Sequence, residues 1–433
     1  MTDLYPYQRA GVAWLAQQKT ALLADEMGLG KTAQAIMAAA EIGAHRIGVV
    51  CPASLRLNWR REFDRWWPDW IERPLLYVES YDKVARHCWR EPNFDLLIID
   101  EAHYAKTPTA ARTKALYGKS ADGSGLVSKA KRTWLLTGTP APNNPAELWT
   151  HLRALRPEIV TGANGKPAAY WSFVKRYCHT FDNGFGLQIG KGRRLDELKK
   201  IIAPFILRRT KAEVLKDLPE VRFDVLPLDG IVAGNMLEAD HLVAMFEHDE
   251  RLALKVLREE GVDGLRKIAS HVATLRRLTA MAKVPALIEW IEGFLESGEK
   301  LVVFAHHRDV IEALSEALMT ANFGVVWITG DTPQVFRQAN VDLFQNGPLC
   351  KVFIGQLQAA GTGLTLTAAS TVLLAEQSWV PAENVQAAAR VHRIGQKNAC
   401  QVWSAVLAGS IDEQVGAALT RKMNDLVQLF GSV

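Results

Sequence analysis

The sequence lacks the features that mark membrane and secreted proteins. No run of eighteen apolar residues occurs in its 433 residues, so we expect no membrane span. The first ten residues, MTDLYPYQRA, do not have the basic-then-apolar order of a secretion signal. The five cysteines are far apart and show no paired metal-ligand spacing, at positions 51, 88, 178, 350 and 400. We therefore expect reduced thiols in an intracellular protein, cytoplasmic or nucleoid-associated if the source is a bacterium or phage.

The sequence also lacks a strong charge imbalance and any internal repeat. Its 51 Lys and Arg residues nearly balance 47 Asp and Glu residues, for a formal net charge of +4. Such a charge is compatible with a polyanionic partner but does not identify one. The hydrophobic fraction of 48% and the charged fraction of 23% are typical of globular proteins. At roughly 150 residues per domain, the length predicts two or three domains.

Short apolar runs alternate with helical patterns in both halves of the chain, which predicts an α/β fold with parallel sheets. We place two lobes at residues 1–210 and 211–433, with helical insertions at about 141–210 and 229–283. The first insertion includes a glycine-rich loop around Gly184–Gly192, and a brace helix closes the chain. The predicted strands, whose apolar continuity indicates burial on both faces, are Ala21–Ala24, Ile47–Cys51, Leu75–Val78, Leu96–Ile99, Thr133–Leu136, Leu301–Ala305, Val325–Ile328, Lys351–Ile354, Val372–Ala375 and Val402–Leu407.

Tryptophan is abundant, and four of the thirteen cluster at Trp59, Trp66, Trp67 and Trp70. We predict that this cluster belongs to a packed amphipathic segment. The alternative is a surface on which nucleic-acid bases stack.

A glycine-rich segment predicts a nucleotide site. DEMGLGKT, Asp25 to Thr32, follows a predicted strand and leads into the helical pattern AQAIMAAA. Gly28 and Gly30 allow the backbone to wrap an anion, and the helix start offers free N–H groups to phosphate. In this interpretation Lys31 reaches the β- and γ-phosphates of ATP, and the Thr32 hydroxyl binds Mg²⁺. Asp25 occupies the position where the strict pattern has its first glycine, and a glycine-rich turn with an incidental lysine is the alternative.

A second segment predicts the hydrolytic residues. The apolar run FDLLIID ends at Asp100, and Glu101, Ala102 and His103 follow. A carboxylate at the end of a buried strand suits Mg²⁺ binding, so we predict that Asp100 holds the metal. Glu101 would orient and deprotonate the attacking water. The alternative, two surface carboxylates at a helix start, does not account for the phosphate loop and the strand context together.

A third segment, QAAARVHRIGQ at residues 386–396, carries two arginines. Arg390 and Arg393 are three residues apart and would share one face of a helix. Guanidinium groups suit the charge that spreads over a transferring phosphoryl group. A solvated basic helix face is the alternative, which this segment alone favours.

These segments, in this order, resemble helicase superfamily two, in which DEAH is a defining box, and more specifically its Swi/Snf-type family of double-stranded DNA translocases. The resemblance runs from about Leu4 to Leu429 and implies two RecA-like P-loop lobes that use ATP and Mg²⁺. LYPYQRAGVAWL resembles the Q motif, which implies that Gln8 recognises adenine. The segment Ala203–Pro219, APFILRRTKAEVLKDLP, resembles the stretch that joins the lobes in this family. GTGLTLTAAS and Glu376 resemble the annealing-helicase (HARP-like) subgroup.

The resemblance also implies contacts to the DNA backbone. A translocase must hold phosphates without reading bases, and hydroxyl and guanidinium groups suit this task. The candidates lie in motifs Ia, III and V and next to the connecting segment: Ser54, Thr137, Thr139, Thr362, Thr365, Arg208 and Arg209. For the hydroxyl residues, helix capping or turn formation is the alternative.

The prediction is therefore ATP-dependent translocation on double-stranded DNA, including branched DNA, that remodels or reanneals DNA or displaces bound protein. We expect a monomer that does not act at a membrane, and leave open a protein partner that directs it. One alternative is a strand-separating superfamily-two helicase on DNA or RNA, and another is a nucleotide-gated DNA-binding scaffold without turnover. A metal nuclease is disfavoured because no unassigned acidic cluster has suitable spacing.

Overall fold

The chain divides into two compact units in the computed structural model. We name Met1–Val214 the N-lobe and Leu215–Val433 the C-lobe. The structure describes residues 4–87, 93–118, 125–138, 140–141, 144–160, 169–182, 187–215, 218–229, 252–253, 255–256, 259, 273–360, 364–410, 412–417 and 419–420.

A six-stranded parallel sheet forms the centre of the N-lobe. The strands of this lobe are β1 (Thr20–Leu23), β2 (Arg46–Cys51), β3 (Leu75–Ser80), β4 (Phe94–Asp100), β5 (Ala130–Leu136), β6 (Cys178–Asp182), β7 (Leu187–Gly192) and β8 (Ile206–Leu207). The sheet order is β3-β2-β4-β5-β1-β8, and β6 and β7 form a separate antiparallel hairpin.

Helices cover both faces of this sheet. They are α1 (Pro6–Gln17), α2 (Lys31–Glu41), α3 (Arg56–Trp66), α4 (Tyr81–His87), α5 (Ala111–Tyr117), α6 (Leu148–Leu155), α7 (Tyr170–Tyr177), α8 (Leu195–Ile202) and α9 (Lys211–Val214). Short 3₁₀ helices occupy Ala53–Leu55, Ala102–Ala105, Leu126–Lys129, Pro145–Glu147 and Pro157–Val160. Two apolar cores result, one on each face of the sheet.

The register of the parallel strands brings the predicted motifs to one edge of the N-lobe sheet. Leu23 at the end of β1 pairs with Leu136 of β5 and with Leu207 of β8. Asp100 at the end of β4 also pairs with Leu136. Because parallel strands share one carboxyl edge, the loops that follow these strands are neighbours, and ligands bind at such edges.

The C-lobe has its own six-stranded parallel sheet. Its strands are β9 (Val221–Leu228), β10 (Leu301–Ala305), β11 (Gly324–Ile328), β12 (Cys350–Gln356), β13 (Thr371–Leu374) and β14 (Cys400–Leu407), in the order β11-β12-β10-β13-β14-β9. Its helices are α10 (Ala273–Ala282), α11 (Val284–Leu295), α12 (Arg308–Thr320), α13 (Gln334–Asn346), α14 (Leu357–Ala360) and α15 (Pro381–Ala388). Apolar cores again lie on both faces.

The predicted α/β fold with parallel sheets is confirmed, and every predicted strand is present. Some strands are longer than predicted, such as β5, which begins at Ala130 rather than at Thr133. Two sheet strands were not predicted: β8, which has only two residues, and β9, which pairs with β14 at the edge of the C-lobe sheet. Pro227 in β9 is compatible with such an edge position, because proline has no N–H to donate to a sheet neighbour.

The described residues of the first insertion include strands as well as the predicted helices. Residues 141–210 contain α6, α7 and α8, but the segment that we predicted as a glycine-rich loop supplies strand β7 of the antiparallel hairpin. Cross-strand pairing, which helical periodicity does not report, stabilises this hairpin. Most of the second insertion, and the end of the predicted brace helix, lie outside the described residues.

The tryptophan cluster is largely packed, as predicted. Trp59 and Trp67 are buried in the N-lobe core, and Trp67 stacks on Phe63 with ring centroids 5.0 Å apart. Trp70 is the exception, with 68% of its surface exposed. No helix in the described part of the chain is long and apolar enough to cross a membrane.

Candidate nucleotide site

The phosphate loop joins β1 to α2 and depends on glycine at two positions. Gly28 has a φ of 88° and Gly30 a φ of 72°, a left-handed conformation that glycine adopts without steric cost. The loop leads into the N-terminus of α2, and the backbone N–H groups at a helix N-terminus form a favourable site for an anion. Lys31 Nζ donates to the carbonyl oxygens of Asp25 at 2.7 Å and Glu26 at 3.2 Å. Thr32, in the same first turn, is half-buried.

Gln8 lies against this loop. Its Nε2 donates to the Leu29 carbonyl at 3.2 Å, and its Oε1 accepts a bond from the Tyr5 N–H at 2.9 Å. The side chain is buried, and a Cβ added to Gly30 would approach Gln8 Nε2 to 2.4 Å. Gln8 therefore joins α1 to the phosphate loop, while its recognition of adenine stays a prediction.

Asp100 and Glu101 leave the end of β4 in a strained, tightly held turn. Glu101 has a φ of 50°, in the left-handed region that non-glycine residues rarely adopt. Tyr81 Oη donates to the Asp100 carbonyl at 2.7 Å and to the Glu101 carbonyl at 3.2 Å. Trp59 Nε1 donates to Asp100 Oδ2 at 2.8 Å, and the Glu101 N–H donates to Oδ1 at 2.9 Å. The Asp100 carboxylate is therefore fixed in orientation.

Burial raises the pKa of the Asp100 carboxyl, and the nearby charge of Glu101 raises it further, against the opposing hydrogen bond from Trp59. A cation beside the carboxylate would offset this effect, and Lys31 already contributes in that direction. The available donors, a Thr32 hydroxyl and the Asp100 carboxylate, are the hard oxygen ligands that Mg²⁺ prefers together with nucleotide phosphates. No group of three or more His, Cys, Asp or Glu residues forms a metal site among the described residues. The donor set therefore fits a magnesium ion that arrives with a nucleotide.

Thr137 connects the end of β5 to the carboxylates. His103 Nδ1 lies 3.3 Å from Glu101 Oε2 and 3.0 Å from Thr137 Oγ1. Thr137 is fully buried, and a Cβ on the next residue, Gly138, would lie 3.5 Å from Lys31 Nζ. The Thr137 hydroxyl therefore points to the carboxylate side of the phosphate loop, and this geometry favours an internal role over the predicted DNA contact. Thr139 lies outside the described residues.

Arg208 and Arg209, predicted as DNA contacts, instead point into the N-lobe. Arg208 Nη1 donates to the carbonyls of Ala24 at 3.2 Å and Gly138 at 3.1 Å. Arg209 Nε donates to Asp25 Oδ1 at 3.0 Å and Nη2 to Gln34 Oε1 at 2.8 Å. The cationic pattern in the sequence could not reveal a buried anionic partner 184 residues away. Asp25, predicted to bind nucleotide, is fully buried in this ion pair.

Ser54 lies in the 3₁₀ turn that follows β2, at the carboxyl edge of the N-lobe sheet, and is half-buried. Its position is compatible with the predicted phosphate contact, which stays a prediction.

The C-lobe arginines do not share a helix face. Helix α15 ends at Ala388, and residues 389–396 form consecutive turns in which Gly395 has a φ of 98°. Arg390 is buried and its Nε donates to the Gln386 carbonyl at 3.0 Å. Arg393 Nη1 donates to the Leu364 carbonyl at 2.6 Å. The prediction that Arg390 and Arg393 share one face of a helix was wrong, because the backbone bonds change to shorter turns after Ala388.

Leu364 and Thr365 contact these turns. Thr365 is exposed, and its Oγ1 lies 3.1 Å from Arg393 Nη1, so the hydroxyl supports the arginine. Its predicted DNA contact stays a prediction, and Thr362 lies outside the described residues. Glu376 Oε1 lies 2.6 Å from His307 Nδ1, and Glu376 Oε2 accepts bonds from the backbone N–H groups of His306 and His307. Glu376 thus joins the end of β13 to the end of β10.

Sequence reasoning missed three residues that hold the site: Trp59, Tyr81 and Gln34. Gln34 Nε2 donates to Asp25 Oδ2 at 3.1 Å and to the Leu29 carbonyl at 3.2 Å. Gln34 is a polar residue in an otherwise apolar helix pattern, and that signal could have indicated a buried hydrogen bond. The donor roles of Trp59 and Tyr81 have no such signal, because aromatic residues fit an apolar core equally well.

The chain matches two family models. The SNF2-related domain matches residues 7–87 and 76–229, and the helicase conserved C-terminal domain matches residues 282–395. The solved structure "Sulfolobus solfataricus SWI2/SNF2 ATPase core in complex with dsDNA" is 24% identical, with a TM-score of 0.44, over 100% of this chain and 94% of that one.

Curated relatives match nearly the whole chain. "DNA annealing helicase and endonuclease ZRANB3" of Mus musculus is 32% identical over 97% of this chain and 40% of its own length. "SWI/SNF-related matrix-associated actin-dependent regulator of chromatin subfamily A-like protein 1" of Xenopus tropicalis is 33% identical over 99% of this chain and 45% of its own length. The chain therefore spans less than half the length of these relatives.

Proposed function

Because this chain belongs to the SNF2-related family, we propose that it is a DNA-dependent ATPase that translocates on double-stranded DNA and thereby remodels or reanneals DNA or displaces bound protein. The observation that carries the proposal is the convergence of Lys31, Asp100 with Glu101, and Thr137 at one edge of the N-lobe sheet. Relatives named as annealing helicases support the reannealing activity.

The N-lobe residues have distinct roles in the proposed hydrolysis. The loop N–H groups and Lys31 bind the phosphates, and Gln8 holds the loop against α1. Thr32 and Asp100 would hold Mg²⁺, which neutralises phosphate charge when it is bound. Glu101 accepts a proton from the attacking water, and His103, 3.3 Å from its carboxylate, links it to Thr137. Through this link Thr137 can affect hydrolysis.

The C-lobe residues complete the proposal. We propose that Arg390 and Arg393 stabilise the charge on the transferring phosphoryl group, as arginines do in related nucleotide hydrolases. A ligand shifts a conformational equilibrium only by its difference in affinity for the two states. Hydrolysis removes the γ-phosphate, and with it the difference in nucleotide affinity between the two conformational states. The arginines would in this way couple the chemical step to a change in DNA affinity.

A triplex-displacement assay tests translocation. The chain should release a third strand from a duplex when ATP is present, and should not separate the strands of a tailed duplex. A Lys31→Ala variant serves as the matched control, because it removes the cation that binds the phosphates. Strand separation without triplex displacement would support an ordinary helicase instead, and DNA binding that depends on nucleotide but proceeds without turnover would support a scaffold.

A further inference from the structure

The segment that ends the N-lobe is built into the phosphate loop. β8 extends the sheet beside β1, so that the Ala24 N–H donates to the Leu207 carbonyl at 2.7 Å. The pairing continues past the strands, where the Glu26 N–H donates to the Arg209 carbonyl at 2.9 Å. We name residues 206–214 the connector, since the N-lobe ends at Val214.

Two consecutive acidic residues of the phosphate loop pair with two cationic residues of the connector. Arg209 binds the carboxylate of Asp25, which is fully buried. Lys211 is 3% exposed, and its Nζ lies 3.5 Å from Oε1 of Glu26, which is also fully buried. The Lys211 N–H donates to Glu26 Oε2 at 2.7 Å. Desolvation makes buried ion pairs weak contributors to stability, so two in succession call for another role.

Arg209 reaches three elements of the nucleotide site: α1, α2 and the phosphate loop. Its Nη2 donates to Gln34 of α2, its Nη1 donates to the carbonyl of Tyr7 in α1, and its guanidinium carbon lies 5.3 Å from the centre of the Tyr7 ring. The space is filled closely, because a Cβ on Gly11 would lie 1.9 Å from Gln34 Oε1 and 2.7 Å from Arg209 Nη2. One connector side chain thus holds α1, α2 and the phosphate loop in a fixed arrangement.

Lys31 contacts the same two loop residues as Arg209 and Lys211. Its Nζ donates to the carbonyls of Asp25 and Glu26, whose carboxylates Arg209 and Lys211 hold. A lysine that turns toward nucleotide phosphates exchanges these carbonyl partners for phosphate oxygens. Nucleotide binding through Lys31 and connector position through Arg209 and Lys211 therefore act on the same two residues, Asp25 and Glu26.

We propose that Arg209 and Lys211 are positioning residues through which nucleotide binding at the phosphate loop controls the connector. The inference rests on the proposed nucleotide-binding function. Because coupling between two sites is reciprocal, a docked connector strengthens nucleotide binding by the same factor with which nucleotide strengthens docking. Neither residue touches the nucleotide in this account. Their effect on hydrolysis passes through the loop.

Hydrogen exchange of the connector amides, with and without ADP, tests the proposal in the full chain. In the unmodified protein, ADP should slow exchange of residues 206–214. In Arg209→Gln this response should be lost, and the dissociation constant for ADP should rise about tenfold, within the usual range of coupling between sites. Lys131→Gln is the control, since it removes an exposed N-lobe ion pair with Asp95 and should change neither quantity.

The outcomes separate this inference from the proposed function. If the unmodified chain does not bind ADP, the proposed function fails. If it binds ADP but connector exchange does not respond, or if Arg209→Gln responds as the unmodified chain does, the inference alone is overturned. Should Arg209→Gln not fold, Lys211→Gln provides the same test at the Glu26 pair. The double variant Asp25→Asn with Arg209→Gln should be more stable than Arg209→Gln, because no carboxylate is then left buried without its cation.

Discussion

The two lobes share an architecture but hold their functional side chains in different ways. In the N-lobe, Asp25 pairs with Arg209, which lies 184 residues away in the sequence. Trp59 donates a hydrogen bond to Asp100, which lies 41 residues away. In the C-lobe, Arg390 and Arg393 donate to the carbonyls of Gln386 and Leu364, which lie 4 and 29 residues away. The N-lobe site thus depends on charged and aromatic partners that only the tertiary fold brings together.

This difference suggests that the side chains of the two lobes have different roles. Buried partners fix the position of the N-lobe carboxylates. Catalytic groups need fixed positions, because a misplacement of about 1 Å can lower the reaction rate strongly. The arginines of the C-lobe lie on turns and donate to uncharged oxygens, the backbone carbonyls and, for Arg393, the Thr365 hydroxyl. A negatively charged phosphoryl oxygen would be a stronger acceptor for a guanidinium group. The following predictions test this contrast, beginning with the largest expected effect.

Replacing the C-lobe arginine that we expect to bind the phosphoryl group should have the largest effect. Arg393→Ala should lower DNA-stimulated ATP turnover about 10³-fold or more, since an arginine finger contributes this much to phosphoryl transfer. ATP binding should change little, because the phosphate loop is intact. Phosphate release and equilibrium nucleotide binding measure the two effects.

A matched C-lobe variant provides the control. Arg222→Ala removes an exposed arginine that pairs with Glu220 and should leave turnover unchanged. Full turnover in Arg393→Ala would contradict the role of this arginine and leave the N-lobe as the entire catalytic site.

Replacing the N-lobe general base should also slow hydrolysis. Glu101→Gln keeps the side-chain shape but cannot accept a proton, so turnover should fall about 10²- to 10⁴-fold while ATP stays bound. Single-turnover hydrolysis with labelled ATP measures this loss. Glu158→Gln, which removes an exposed N-lobe carboxylate, is the control. A variant that loses ATP binding instead would assign Glu101 to the binding step.

A buried histidine of the N-lobe and a buried glutamate of the C-lobe should respond differently to acid. Burial lowers the pKa of His151 in the N-lobe to about 4. Below the ordinary value of 6.5 the unfolded chain gains a proton at this position that the folded chain does not, so the stability that neutral His151 contributes is lost as pH falls from 6.5 to 4. The loss should reach roughly 3 kcal/mol, and His151→Gln should remove most of it.

Glu376 of the C-lobe has a lowered pKa that affects stability only at lower pH. Burial opposes the charge of Glu376, but hydrogen bonds from His307 outweigh burial and lower its pKa below 4.5. Its contribution to stability is present above pH 4.5 and is lost only as pH falls through the lowered value. His151→Gln should therefore flatten the fall in unfolding free energy between pH 6.5 and 4, whereas Glu376→Gln should alter the pH dependence only below pH 4.5, as denaturation of each variant across this range measures. An unchanged pH dependence in His151→Gln would contradict the assignment to this residue.

Removing the aromatic donor to Asp100 should have the smallest effect of the series. Trp59→Phe keeps an aromatic ring but loses the bond to Oδ2, and a hydrogen bond to a charged group contributes about 1.5–3 kcal/mol. The Mg²⁺ concentration for half-maximal turnover should rise by about tenfold or more. Trp134→Phe, which removes a buried indole bond to the Gln18 carbonyl, is the control. An unchanged Mg²⁺ requirement would assign Trp59 to packing alone.

Hydrophobic patterns predicted the parallel strands, because burial on both faces leaves continuous apolar runs such as the one in β4. The same patterns missed β8, which has two residues and is stabilised by pairing with β1. They missed the β6–β7 hairpin for a similar reason, since its stability arises between strands. The local hydrophobic pattern therefore predicted the strands of the sheet cores. The strands β6, β7 and β8 depend on pairing between separate segments, which a local pattern does not show.

The candidate site shows the same limit. Glycine spacing and the carboxylates at the end of β4 indicated Lys31, Asp100 and Glu101, because these residues follow strands that end at one edge. The interpretation of Arg209 as a DNA contact did not anticipate the buried charge of Asp25. The helix predicted through Arg393 ends at Ala388, where tertiary contacts of the following turns outweigh helical propensity.

Phosphate release by the unmodified chain, compared across duplex DNA, single-stranded DNA and RNA, tests the central claim most directly. We expect slow ATP hydrolysis by the chain alone and the strongest stimulation by duplex DNA. Hydrolysis that no polymer stimulates, or that RNA stimulates as strongly as duplex DNA, would contradict it.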